Sequence, residues 1–269
     1  MCGCPMKDSF SFGVRSLVFR PQAYIPALVM AALALAIAFL AMDALAGFSY
    51  DALYMGAFPE GSVTEIPLLL LFSYPSELLI LGAAAFVSFV LYLFAAFAIA
   101  KLVSEEKTGI GKAIGFALGK LPDAISVAVF AFAIWLIFLA AGIFSILIMR
   151  LSEILVFPML IVFLALLIVA AYAMVKLYFL PTVMAIEDIK LKEGIKKTWV
   201  WGQKRFVSIV VIVAVLSLIF SAVDNIGILI ADTIQDELLA IAVLGIFGPV
   251  IGTTFTNLVM ARFYLNNRK

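Results

Sequence analysis

The sequence predicts an all-α integral membrane protein with six transmembrane helices, three interfacial amphipathic helices and a threefold internal repeat. Composition is the first reason. Hydrophobic residues make up 66% of the 269 and charged residues only 13%, with a mean hydropathy of +1.22. Soluble domains are nearer half apolar and a quarter charged. Segment length is the second reason, because a helix needs about 20 apolar residues to cross a hydrocarbon core of ~30 Å. Runs of about that size recur at 22–42, 77–100, 122–148, 155–180, 205–230 and 238–262. Backbone groups inside a bilayer have no water to bond, so such runs must be helical.

Charge asymmetry is the third reason. Seventeen of the eighteen Lys and Arg residues fall on one side of the six runs, together with seven carboxylates. The other side holds Arg150 and the ten remaining carboxylates, among them Asp51, Glu60, Glu65, Asp232 and Asp236. Cytoplasmic segments carry the excess of Lys and Arg. The expectation is a multi-pass protein of the cell (plasma) membrane with both termini cytoplasmic, as an even number of spans requires.

The elements follow in order. Cys2 and Cys4 lie in an N-terminal tail on the reducing side, read as exposed and disordered rather than as a palmitoylation site or, with no His in the chain, a zinc site. Residues 1–40 lack the short apolar core of a cleaved leader. Phe10, Val14, Leu17 and Val18 then share one helical face. Equivalent places hold Ile110, Ile114, Ala117 and Leu118, and again Leu191, Ile195, Thr198 and Trp199. Gly13, Ala113 and Gly194 align beside them, and Arg20 matches Lys120. Each stretch leads into two spans, so the chain reads as one membrane domain over 1–269, built from units at about 9–100, 107–186 and 187–266. Apolar residues on one face and Lys on the other suit a helix lying in the headgroup plane.

Leu180-Pro181-Thr182-Val183-Met184-Ala185-Ile186-Glu187-Asp188, followed by Glu193-Gly194-Ile195-Lys196-Lys197-Thr198-Trp199, resembles a family pattern. It is that of the six-span membrane domain associated with glycerophosphodiester phosphodiesterases and of its stand-alone prokaryotic relatives. In that family a Leu-Pro stretch ends the fourth span, and an acidic residue and a basic helix ending in Ser-Trp follow. Here Gly194-Ile195 replaces Ala-Leu and Thr198 replaces Ser. Phe263-Tyr264-Leu265 is similar to the family's closing segment, with its basic end reduced to Arg268-Lys269. The resemblance implies the fold and a prokaryotic membrane setting. It implies no esterase, because the catalytic domain is absent and there is no soluble stretch to hold one.

Four places could carry function. The basic helix from Lys190 to Arg205 offers Lys192, Lys196, Lys197, Lys204 and Arg205, with Trp199 and Trp201, to anionic lipid or a membrane or cytoplasmic protein partner. Each such cation near a membrane surface is worth about 1 kcal/mol, although the same cluster is also the topology signal. Lys176, near the end of the fourth span, either snorkels, pairs with Glu187 or Asp188, or meets a lipid headgroup. Gly248-Pro249 predicts a kink in the last span, and Thr253, Thr254 and Asn257 beyond it either line a polar pathway or satisfy freed backbone groups. Glu77 stands either at an outer mouth or at a helix start after Pro75.

Enzymatic readings lack their parts. Without His, Ser-His, Cys-His and His-ligated metal arrangements are unavailable, and no Walker-type loop appears. No cofactor and no metal is expected. Nucleic acid is disfavoured because the cations are juxtamembrane and the whole chain carries only +1. The sequence is therefore read as a non-catalytic accessory or scaffold protein engaging lipids or partners through its basic helices. The alternative is a small-solute or ion transporter or channel with a pathway between the repeats.

Overall fold

The computed structural model describes residues 5–41, 75–105, 108–151 and 156–268. Six helices are long and apolar enough to cross a membrane: Pro21–Leu40, Leu79–Ser104, Leu121–Gly142, Leu160–Glu187, Phe206–Ala231 and Leu239–Asn267. Among the described residues there is no strand. The chain is a multi-pass helical membrane protein. The outer segment before the second span lies outside the described residues, as does the side chain of Glu77, although the helix there does begin at Pro75.

In chain order the helices are α1 (Pro5–Phe19), α2 (Tyr24–Leu40), α3 (Pro75–Ser104), α4 (Ile110–Gly119), α5 (Leu121–Leu151) and α6 (Val156–Leu177). They continue with α7 (Leu180–Glu187), α8 (Leu191–Lys204), α9 (Phe206–Ala231), α10 (Glu237–Gly245), a π-helical turn (Ile246–Gly252) and α11 (Thr253–Asn267). The short helices are packed rather than loose: α1 lies along α11, α4 against α3, and α8 against α6 and α7.

Small residues set these contacts. In α1 the buried positions are Ser9, Gly13 and Ser16, whereas Val14 and Val18 are exposed. A Cβ on Gly13 would stand 2.6 Å from Val259 Cγ2 and 2.9 Å from Phe255 Cε2. Gly194 meets Met184 in the same way, and Ala113 is fully buried. Without a hydrophobic driving force between helices in lipid, close approach through small residues is what gains contact. The four apolar positions of each stretch therefore do not form a single buried face. Val18, Leu118 and Trp199 are all exposed.

The fourth span departs from the expected ending at Leu180-Pro181. The helix breaks at Tyr178–Phe179 and restarts, with Pro181 in the first turn of α7, where its missing N–H costs nothing. Burial of Leu180, Thr182, Val183, Met184 and Ala185 makes α7 part of the core. It closes on Asp188, which adopts the left-handed conformation (φ 52°, ψ 44°). Asp tolerates that region better than most residues, and its carboxylate binds Lys120 Nζ at 2.8 Å. Burial opposes the charge on Lys120, but Asp188 and Asp123 outweigh it and lift the ammonium above the ordinary lysine pKa.

The last span breaks where Gly248-Pro249 predicts. The π-helical turn encloses Pro249, and its two glycines sit against α9: a Cβ on Gly248 would stand 2.3 Å from Asp224 Oδ1, and one on Gly252 2.7 Å from Phe220. The core gathers at the end carrying the cations, where Phe97, Phe179, Val183, Ile209, Leu258, Val259 and Tyr264 are buried. Away from that end, Leu160, Ile161, Val162, Ile168 and Val169 of α6 are exposed, an apolar surface that hydrocarbon would cover.

Candidate functional site

The basic end is organised by α8 and the last turns of α11. Tyr264 donates its hydroxyl to Glu187 Oε1 at 3.0 Å, and Lys197 Nζ reaches the other oxygen of that carboxylate at 2.8 Å. Trp201 Nε1 donates to the carbonyl of Asn267, and an Arg205 guanidinium nitrogen donates to the Asn267 side-chain oxygen, each at 3.0 Å. Asn267 in turn donates to the Phe263 carbonyl at 2.8 Å. The C-terminal turn is thus tied to α8 through Trp201, to its C-cap Arg205, and to Lys197 by way of Glu187.

Between them lies a groove of about 420 Å³, walled by Glu193, Lys196, Lys197, Val200, Trp201, Lys204, Arg205, Tyr264 and Arg268. Five cations face one carboxylate. Lys196, Lys204 and Arg268 are exposed; Lys197 and Arg205 are held in place by Glu187 and Asn267. That combination of fixed and adjustable cations suits a compact anion bearing several acceptor oxygens.

Of the basic-helix residues singled out in the sequence, the groove collects Lys196, Lys197, Trp201, Lys204 and Arg205. It does not include Lys192 or Trp199 among its walls. Trp201 serves mainly as core: its ring packs on Phe179 at 5.2 Å, Tyr264 at 5.2 Å and Phe263 at 6.1 Å between centroids. Arg268 belongs to the site and was read in the sequence only as a terminal charge.

Lys176 is 2% exposed. Its ammonium lies 4.2 Å from the ring centroids of both Tyr172 and Trp199, so the side chain is held by a cation–π clamp. Glu187 and Asp188, the partners that one of the three sequence readings offered it, bind Lys197 and Lys120. Three other cations at this end lie over rings: Lys101 over Phe116 at 4.9 Å, Arg262 over Phe12 at 4.9 Å and Arg20 over the same ring at 5.7 Å.

A second, uncharged cluster lies deeper. Asn257 donates to the Thr253 carbonyl at 2.9 Å, within its own helix, and lines one cavity together with Tyr92 of α3. Thr253, Thr254 and Asn257 are all buried, and among the described residues the Thr254 hydroxyl has no partner. Lys176 is not part of this cluster. Tyr92 and Tyr178, which the apolar runs concealed, are. A tyrosine near mid-span, away from the interfacial aromatic belts, is the signal that could have found Tyr92.

Among the described residues no group of three or more Cys, Asp or Glu is arranged to hold a metal ion. The chain matches no family model, no curated protein and no solved structure.

Proposed function

We propose that this protein is a non-catalytic membrane accessory or scaffold that holds an anionic lipid headgroup in the groove between α8 and the end of α11. The observation that carries this reading is the set of five cations around a cavity of about 420 Å³ with Glu193 as its one carboxylate. The groove belongs to a basic end that the positive-inside rule assigns to the cytoplasmic face of the cell membrane. Anionic lipid is most abundant there, and each nearby cation gains about 1 kcal/mol from it.

The same proposal includes the threefold repeat and the prokaryotic six-span family. Support for the repeat is cyclic. Each amphipathic helix packs on the end of the span that closes the preceding unit: α4 on α3, α8 on α6 and α7, and α1 on α11. For α1 the preceding unit is the third, so the units close into a ring. Each contact also carries a cation over an aromatic ring: Lys101 over Phe116, Lys176 over Trp199 and Arg262 over Phe12. Gly13, Ala113 and Gly194 are the buried small residues in each.

The alternative reading, a small-solute or ion pathway between the repeats, draws on the buried Thr253, Thr254 and Asn257. It has less support, because among the described residues no charged group lines the cavities at that cluster and Lys176 is held elsewhere.

The lipid reading is tested by melting the detergent-solubilised protein with added phosphatidylglycerol or phosphatidylcholine. A ligand that binds only the folded state raises the melting temperature by mass action, about 2.7 kcal/mol at a hundred times its Kd. The anionic lipid is expected to raise it by several degrees and the zwitterionic lipid not to. Replacing Lys196, Lys204 and Arg268 with Gln removes about 3 kcal/mol of attraction, roughly two decades in affinity, and abolishes the shift. Lys192→Gln leaves it intact. Equal shifts from the two lipids, or a shift indifferent to the triple substitution, contradict the reading.

A further inference from the structure

Two cavities flank Tyr92 and Tyr178 in the middle of the bundle. One, of about 260 Å³, is lined by the hydroxyl-bearing residues Tyr92, Tyr178, Ser217, Thr253 and Thr256, with Leu216 and Phe220. The other, of about 330 Å³, is walled almost wholly by hydrocarbon and aromatic groups, including Leu93, Val127, Phe130, Ile134, Met174 and Leu177, with Asn257 at one side. Tyr92 and Tyr178 line both, so a hydroxyl chamber and an apolar chamber share one wall. Asn257, which lines the apolar chamber with Tyr92, is held by its bond to the Thr253 carbonyl.

Height matters as much as lining. Tyr92, Phe130, Ser217 and Thr253 each fall near the middle of their spans, where hydrocarbon is the surrounding medium. Among the described residues no carboxylate, ammonium or guanidinium lines either chamber. A charged head would be buried there without a counter-ion, which is far costlier than burying a hydrogen-bonded hydroxyl. Each wall hydroxyl can both donate and accept, which matches a hydroxylated head. The apolar chamber is at the small end of ligand sites, which run roughly 300–1,000 Å³, and so accommodates part of one chain rather than a two-chain phospholipid.

The geometry points to a binding site for an uncharged, single-chain amphiphile, with its hydroxylated head among Ser217, Thr253 and Thr256 and its chain between α3, α5 and α6. This site is separate from the basic groove and does not depend on an anionic lipid binding there.

Photolabelling tests it. The purified full-length protein is exposed to a monoacylglycerol carrying a diazirine in its chain, and to the free fatty acid of the same chain at a pH where it is ionised. Peptide mapping is expected to place the monoacylglycerol adduct on residues 89–96, 127–134 or 173–181, with at least fivefold less from the fatty acid. Ala131→Phe, which fills the apolar chamber, is expected to cut labelling at least fivefold. Ala173→Leu serves the same purpose if that variant does not elute as folded protein. Ser217→Ala with Thr253→Val narrows the preference for the neutral head to less than twofold. The Lys196/Lys204/Arg268→Gln protein labels like the unsubstituted one. Labelling unchanged by either chamber-filling variant overturns the proposal, as does equal labelling by the ionised fatty acid.

Discussion

Trp201→Ala lowers the melting temperature far more than Trp199→Ala, although the two tryptophans lie two residues apart on one amphipathic helix. Trp201 is buried against Phe179, Phe263 and Tyr264, and truncating a buried Trp to Ala typically costs about 3–5 kcal/mol. Its indole N–H also binds the Asn267 carbonyl, so the substitution leaves a buried acceptor short of a partner, at a further cost of about 1–3 kcal/mol. Trp199 is more than a third exposed. It contributes an edge-on contact with Tyr172 and one face of the clamp on Lys176, worth about 2 kcal/mol when desolvated, and Tyr172 still faces the ammonium when it is removed. Size-exclusion chromatography after stepwise heating separates the two variants. Equal losses would place Trp201 outside the core.

Gly13→Leu is expected to detach α1 from α11. Even a single added carbon there meets Val259 and Phe255 at under 3 Å, and overpacking typically costs about 1–3 kcal/mol. A leucine exceeds what two flanking side chains can yield. Tryptic cleavage after Arg15, which precedes Ser16, should accelerate several-fold in the variant, with a lower melting temperature. Val14→Leu, on the exposed side of the same helix, should change neither. Because the α1–α11 contact closes the proposed ring of three units, an unaltered digestion rate in Gly13→Leu would remove the main support for that ring.

The two variants show what the residues disclose and what they conceal. Six spans were legible because length and apolarity decide whether a helix can cross a bilayer, and the broken last span was legible because Pro249 lacks an N–H. The buried faces were not. In lipid the solvent is as apolar as the protein interior, so the apolar stripe Phe10, Val14, Leu17, Val18 does not say which side meets another helix. Ser9, Gly13 and Ser16 do, because small residues permit close approach.

Candidate sites were legible to the same extent. Lys196, Lys197, Lys204 and Arg205 stand out as charges in an apolar chain, and of the groove's cations three lie on α8 and Arg205 caps it. Arg268 joins them only because Trp201, Arg205 and Asn267 draw the C-terminal turn onto α8, a contact across more than sixty positions. Lys176 read as a cation that snorkels, pairs with Glu187 or Asp188, or meets a lipid headgroup, because only its place near the end of the span is visible in the sequence. The restart of the helix at Leu180 leaves it instead between Tyr172 and Trp199. Tyr92 and Tyr178 were hidden for the opposite reason, since a tyrosine within an apolar run reads as one more hydrophobic residue.

The central claim is that the groove between α8 and the end of α11 holds an anionic headgroup. Native mass spectrometry of the gently solubilised protein tests it most directly, because it weighs whatever remains attached. The account predicts an adduct with the mass of an anionic phospholipid on the native chain, lost when Lys196, Lys204 and Arg268 are replaced by Gln and retained in Lys192→Gln. An adduct that survives the triple substitution, or a native chain that carries only zwitterionic lipid, would contradict it.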